Sequence, residues 1–348
     1  MKALTFHGKE KIKYETVPEP KIVAPTDVIV QILLAGICGS DLHPYHEREK
    51  GLDHGTIMGH EFVGEIVEIG KEVNSFKKGT RVFSPFTTNC GKCFYCQKGL
   101  TCRCPDGQLF GWVEKGVGLH GGQAEFVRVP LADSTLLPIP ENVTPEEALL
   151  LGDVCATGFF CADKAEVTPN GVYAVLGCGP VGLMAVLAAR DAGAEPIFAI
   201  DAISERLQLS RKFGAIAINY KSEDAIAILR EATDGRGADA VLEVVGTAAA
   251  AKAAFDLVRP GGIISTVGVH TEAHMAFSPG QAYDKNLTYK NGRCPARYYM
   301  DKLIPMVQEK RYDICSIISH RLPLREGVKG YQVFDQKLEG SIKVLLKS

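Results

Sequence analysis

No uninterrupted apolar run in the 348 residues approaches the ~20 that a membrane-spanning helix requires. Neither sign of charge is in excess: 39 Lys and Arg face 41 Asp and Glu, a formal net charge of −2. That balance leaves no electrostatic footprint for nucleic acid or for an anionic lipid surface. The opening stretch, MKALTFHGKEKIKYE, has no apolar core of the kind a secretory signal needs, so nothing in it marks the chain for export. Internal repeats and low-complexity segments are also missing. Tryptophan is reduced to one residue, so Trp112 is the only indole available to a core or a pocket.

Cysteine is the exception, with eleven residues. A secreted disulfide scaffold would be short, with its cysteines spread along the chain. Here Cys90, Cys93, Cys96 and Cys104 crowd into NCGKCFYCQKGLTCRC and the others are scattered, as expected in a reducing, cytosolic compartment. Repeated C-x-x-C spacing lets one loop wrap thiolates around a tetrahedral Zn²⁺. Four thiolates leave no open position and a net charge of −2, which suits a structural site. Cys102 competes with Cys104 as the fourth ligand; the spacing from Cys96 favours Cys104.

The first ~150 residues read mostly as strands and loops, with candidate strands at Val28–Leu34, Glu61–Ile69, Arg81–Phe83 and Ala124–Val129. After Pro145 the pattern changes. A helix begins at Glu146–Leu151, and buried strands are expected at Val172–Leu176, Pro196–Ile200, Ala238–Val245 and Gly262–Val267. Helices are expected between them at Pro180–Ala192, Ser204–Phe213 and Ala248–Leu257. This alternation predicts a doubly wound parallel sheet of the Rossmann kind. From about Gly292 the pattern is mixed again. Ser341–Leu346 reads as a single strand that needs a partner sheet in the first domain.

Gly177-x-Gly179-x-x-Gly182 directly follows one of these strands and opens a helix, the context in which this motif signals a dinucleotide site. The glycines permit the tight turn, the approach of pyrophosphate to backbone, and close helix–strand packing. Pro180 and Val181 lie inside the motif, at the helix N-terminus that attracts phosphate. Asp201 closes the next strand, where a carboxylate bonds the ribose hydroxyls and repels a 2′-phosphate, favouring NAD over NADP. Arg206 shortly after leaves room for NADP. The alternative is a glycine-rich packing turn with an ordinary strand-end Asp. Cys38 in AGICGSDLH and His60 with Glu61 in MGHEFVG lie at junctions of apolar strands and glycine turns, where a cleft would be lined. Taken singly, such a Cys or His is more often structural than a ligand. Phe86 and Trp112 are candidates for a substrate pocket, and both suit a core equally well.

CGSDLH, GHE, the four-cysteine lobe, GDVCATG and GCGPVG stand in the order and spacing of the zinc-dependent medium-chain alcohol dehydrogenases, which essentially the whole chain resembles. More narrowly, SPFTTNCGKCFYCQKG, LLLGDVCATG, RPGGIISTVGVH and NGRCPAR resemble the glutathione-dependent formaldehyde dehydrogenase-like group. The resemblance implies a mostly β GroES-like catalytic domain over 1–154 and 294–348, with a zinc-stapled lobe at 89–105. A Rossmann NAD-binding domain is implied over 155–293. It also implies two zinc ions, NAD, and hydride transfer between an alcohol or aldehyde and the nicotinamide. Cys38, His60 and Asp153 become catalytic zinc ligands, with Glu61 as an exchanging fourth. Asp153 stands where the best-known members carry cysteine, and Cys155 is a rival. Ser40 and His43 match the family's proton relay. Thr157, Val267, Gly268 and Val269 match positions flanking the nicotinamide. By analogy with microbial relatives, a homotetramer is expected, paired through the Gly262–Tyr289 region. Competing readings are a polyol or sugar dehydrogenase, a zinc-free quinone reductase, and a zinc-binding interaction protein. An intact Cys38, His60 and Asp153 set argues against the quinone reductase.

Overall fold

A computed structural model describes residues 1–348. The chain forms two compact units, Met1–Ala156 with Pro295–Ser348, and Thr157–Cys294.

The first unit is built on a seven-stranded sheet. Its spine is the long strand Val28–Ile37, VIVQILLAGI, whose β-branched and aliphatic residues are almost all buried. Its antiparallel partner on one edge is Phe62–Ile69; on the other edge Phe126–Val129 pairs with its first half and Lys343–Lys347 with its last residues. The sheet continues through Arg81–Phe83 to Leu137–Pro138, and through Lys343–Lys347 to Ile318–Pro323. The C-terminal strand therefore does return to the first domain's sheet, pairing Val344 with Ile37. One core of this unit gathers Val28, Val30, Phe62, Ile66, Val82 and Phe110, and a second gathers Leu4, Phe6, Tyr45, Met58 and Tyr331.

A helix starts at Pro145, with Thr144 and Glu147 exchanging capping hydrogen bonds. It does not stop near Leu151. One π-helical turn, Leu151–Cys155, joins it to Ala156–Lys164. Such turns insert an extra residue into a helix and redirect its side chains. Asp153 sits in that turn.

The second unit is a six-stranded, fully parallel sheet in the spatial order 216–219, 197–201, 173–176, 238–243, 258–266, 288–291. Numbered along the unit this is 3-2-1-4-5-6, the doubly wound order, with its switch point between Tyr173–Leu176 and Ala238–Glu243. The central strands Tyr173–Leu176 and Ile197–Asp201 are buried throughout, as strands covered on both faces must be. The sheet also has two short edge strands that carry no strong apolar run, Ile216–Asn219 and Thr288–Asn291. No helix of the chain is long and apolar enough to cross a membrane.

Candidate metal centres and dinucleotide site

The sheet of the first unit carries three of its polar residues to one point. Cys38 follows the spine strand, His60 and Glu61 precede Phe62–Ile69, and Asp153 comes from the π-helical turn. The ligand atoms of all four residues lie within 4.8 Å of one another. Cys38 Sγ is 3.4 Å, and His60 Nε2 is 3.3 Å, from the same oxygen, Oδ2 of Asp153. Gly36 makes room for the arrangement: a Cβ there would stand 1.9 Å from Glu61 Oε2. Cys155 is buried but lies outside the group.

The electrostatics show what such a cluster demands. Burial, with the charges of Asp153 and Glu61, pushes the Cys38 thiol up. Burial alone would lower His60, but Asp41 and Asp153 more than offset it and hold the imidazole well above its ordinary range. Burial also raises Glu61 to about 7, even though Lys343 opposes it. Asp153 is held low despite its burial, by the hydrogen bond and charge of His60. Glu61 Oε1 is buried without a hydrogen-bond partner. Soft sulfur, imidazole and carboxylate donors converging here, with one buried oxygen unpartnered, fit a divalent zinc ion.

Three supporting residues carry no signal that the motifs made explicit. Asp41 Oδ1 lies 3.2 Å from His60 Nδ1, and Oδ2 accepts the Cys38 backbone N–H. A ring held at Nδ1 presents Nε2 to the cluster. Gln123 donates to Gly36 O and to Asp41, and itself accepts from the Tyr331 hydroxyl. Lys343, 0% exposed, donates to Ile37 O and pairs with Glu61 Oε2. A lysine directly ahead of the apolar run Val344–Leu346 was the only clue to it in the sequence.

Ser40 Oγ is 3.3 Å from His60 Nε2. His43 lies on the short helix Leu42–Tyr45 that follows. Phe86 is 7% exposed and sets its ring edge-on to His60, with centroids 6.4 Å apart. Trp112, on the strand Trp112–Glu114, packs against the cluster of Leu4, Tyr45 and Met58.

In the cysteine lobe, Cys90, Cys93, Cys96 and Cys104 bring their sulfurs within 4.8 Å, and Cys102 is not among them. All eleven cysteines are free of disulfides. The Cys90 N–H points to Cys104 Sγ at 3.2 Å. A backbone N–H from Cys96 pulls Cys93 down to about 7, whereas burial pushes Cys96 up to about 12. Four sulfurs with a shared focus and amide donors around them fit a closed tetrahedral zinc site.

In the second unit Gly177 turns the chain at φ +88°, and a Cβ on Gly182 would stand 1.7 Å from Gly177 O. Gly179 caps the helix Pro180–Asp191, with Pro180 and Val181 in its first turn. Asp201 ends its strand with both oxygens engaged by backbone. Oδ2 accepts Cys178 N–H at 2.7 Å, and Oδ1 accepts Ala202 and Ile203 N–H. Arg206 stands 3.9 Å from Asp201 Oδ2. Thr157 opens the unit, and Val267, Gly268 and Val269 follow the strand Val258–Thr266. The chain therefore combines a four-sulfur cluster, a mixed-donor cluster and a nucleotide turn, the set of parts that a zinc-dependent nicotinamide oxidoreductase needs.

Known proteins agree. Residues 24–141 match the alcohol dehydrogenase GroES-like domain, and 180–309 match the zinc-binding dehydrogenase domain. Zinc-type alcohol dehydrogenase B of Aspergillus flavus is 40% identical over 343 residues, covering 96% of this chain and 79% of that protein. Among solved structures, alcohol dehydrogenase TADH from Thermus sp. ATN1 superposes with a TM-score of 0.93 at 38% identity, covering 100% of this chain and 99% of that one. The apo form of zinc dependent alcohol dehydrogenase 2 from Streptococcus pneumonia gives a TM-score of 0.92 at 32% identity, covering 100% and 98%. The chain belongs to the zinc-dependent medium-chain alcohol dehydrogenase family. It is an oxidoreductase with a GroES-like domain, a Rossmann NAD(P)-binding domain and zinc as its metal.

Proposed function

We propose that this alcohol dehydrogenase works at the buried cluster, with Cys38, His60 and Asp153 as the catalytic zinc ligands and Glu61 as an exchanging fourth. The convergence of the four donors within 4.8 Å carries this reading. Cys90, Cys93, Cys96 and Cys104 hold the second, structural zinc. Bound zinc supplies Lewis acidity toward the substrate oxygen, and bound nicotinamide accepts the two electrons. The protein's own groups do the rest. Asp41 fixes the His60 ring, and Lys343 tethers Glu61 by Oε2. Ser40 Oγ, within 3.3 Å of His60 Nε2, takes up the proton that the alcohol releases, and His43 hands it outward. Aldehyde reduction uses the same groups in reverse. Phe86, edge-on to His60, lines the approach, with Trp112, packed on the core of Leu4, Tyr45 and Met58, as a further candidate.

Thr157 and the backbone of Val267, Gly268 and Val269 flank the nicotinamide. Gly177 to Gly182 receive the pyrophosphate, and Asp201 receives the adenosine ribose. The carboxylate of Asp201 favours NAD over NADP, while Arg206 keeps the discrimination moderate. The narrower likeness to the formaldehyde dehydrogenase group makes a glutathione adduct one substrate to test. The presence of Glu61 among the donors favours a polyol or sugar dehydrogenase as the second reading.

A panel of alcohols, polyols and aldehydes, run with NAD(H) and NADP(H) and with and without glutathione, tests substrate and cofactor together. Metal analysis should find roughly two zinc per chain; one or none removes the catalytic-zinc reading. We also read the protein as a cytosolic homotetramer. The free cysteines support a reducing compartment. The polar edge strand Thr288–Asn291, near the 82%-exposed Tyr283, supports pairing of sheets across subunits. Light scattering gives the mass that decides it.

A further inference from the structure

At the switch point of the parallel sheet, the strand Ala238–Glu243 ends in a carboxylate that is 0% exposed. Glu243 Oε1 accepts the backbone N–H groups of Val245 and Gly246, each at 2.8 Å. Its Oε2 accepts Nε2–H of His270 at 2.9 Å. The other ring nitrogen of His270, Nδ1, stands 3.4 Å from Glu272 Oε2. Glu272 in turn accepts the N–H of Ala248, the first residue of the helix Ala248–Leu257. The backbone carbonyl of Glu243 also accepts the N–H groups of Val267 and Gly268.

One imidazole thus stitches the segment after Thr266 to the end of the neighbouring strand and to the start of a helix. The two segments that meet at Glu243 each leave one apolar side chain out of a packed core. Val245 is 46% and Val269 45% exposed. Val245 borders the nucleotide turn, since a Cβ on Gly177 would meet its Cγ2 at 2.5 Å. The backbone of Val269 lies against Gly246. Ligands of open α/β sheets bind outside the carboxyl ends of the strands at the switch point. A buried carboxylate that accepts three N–H groups is a rigid reference for such a surface.

We propose that His270 is a positioning residue for the nicotinamide cofactor, clasping Val245 and the Val267–Val269 backbone into one binding surface through Glu243 and Glu272. The inference rests on the assignment of the dinucleotide site to this unit. His270 touches neither zinc cluster, so its loss acts on cofactor affinity and not on metal content. Removing the imidazole leaves Glu243 Oε2 buried without its donor, and the Val267–Val269 segment is freed to move.

The test uses the zinc-loaded full chain, titrated with NADH and followed by nicotinamide fluorescence. His270→Leu should weaken NADH binding by about tenfold, the scale of one lost charge-assisted hydrogen bond. KM for NAD should rise by more than kcat falls, with zinc content at the wild-type level. His270→Gln, whose amide reaches Glu243 Oε2 as Nε2 does, should recover most of the affinity. A His270→Leu protein that binds NADH as the wild type does overturns the inference. So does a loss that His270→Gln fails to rescue and that follows thermal stability instead. If the wild-type chain binds neither NADH nor NADPH, the dinucleotide assignment falls first and this inference with it.

Discussion

The two zinc-suited clusters of this chain are assembled in opposite ways. In the cysteine lobe, four identical donors come from one loop, three of them partly open to solvent. In the buried cluster, a thiol, an imidazole and two carboxylates come from separate strands and a helix, with Cys38 and Asp153 115 positions apart. A loop can organise itself around a metal with little help from the rest of the fold, because closing short loops costs little entropy. The buried cluster needs the whole sheet. Its donors are also supported by a chain of polar side chains from Asp41, Gln123, Tyr331 and Lys343. The first arrangement suits a staple, and the second suits chemistry, where donor identity and open coordination matter.

The difference is sharpest at Asp153. Replacing Asp153 by Ala should lower kcat/KM by about 10²–10³-fold, the scale of a lost charge-stabilising group in a catalytic site. It should also remove one zinc of the two while NADH binding persists. Retained turnover would move catalysis away from the buried cluster.

Lys343→Met comes next. It leaves the Glu61 carboxylate buried and unpaired, which should cost about 3–5 kcal/mol in denaturant unfolding. Adding Glu61→Gln should return most of that loss. If the double variant is as unstable as the single one, Lys343 supports packing and not the carboxylate.

Cys93→Ser should lose the other zinc, with a stability loss of about 2–3 kcal/mol under moderate metal saturation. Turnover at low temperature should survive much better than in Asp153→Ala. Equal losses of activity would erase the distinction between staple and catalytic centre.

The smallest effect concerns the helix that leads into Asp153. Glu146 pairs bidentately with Arg321, and that hydrogen bond is the main reason its carboxyl sits below the ordinary value. A depressed carboxylate contributes stability that is present above its unfolded pKa and is lost as pH falls through the lower folded value. Glu146→Gln should therefore cost stability near neutral pH and flatten the decline below about pH 4.5 by roughly 0.5–1 kcal/mol. A difference from wild type that persists undiminished at the acid end would show that the pair acts through packing.

Asp201 shows why one expected role is not separable from another. Its carboxylate already holds the N–H groups of Cys178, Ala202 and Ile203. Asp201→Ala would thus loosen the glycine turn as well as remove a ribose partner, and a cofactor-ratio change has to be judged against total affinity.

Much was legible before any fold was known. Buried strands such as Arg81–Phe83 and the helix Ala248–Leu257 declare themselves by apolar pattern and small-residue composition. The glycine turn and the cysteine spacing are local signals, complete within a few residues. Edge strands such as Ile216–Asn219 were not legible, because a strand that buries one side weakly needs no strong apolar run. The continuation of the helix through Leu151–Cys155 was missed for a similar reason. A π-helical turn breaks the 3.6-residue period by which helices are recognised.

By itself, then, the sequence determined the cysteine spacing and the glycine turn, each complete within a few residues, and the family, through motifs that keep their order along the chain. Only the tertiary structure decided which oxygen faces which nitrogen at the buried cluster. The pairing of Lys343–Lys347 with Val28–Ile37 is what carries a lysine to Glu61 across 282 positions. The parallel pairing of Ala238–Glu243 with Val258–Thr266 likewise brings His270 to Glu243 across 27 positions. Such contacts arise from how strands pair, and strand pairing is long-range: no local spacing encodes it.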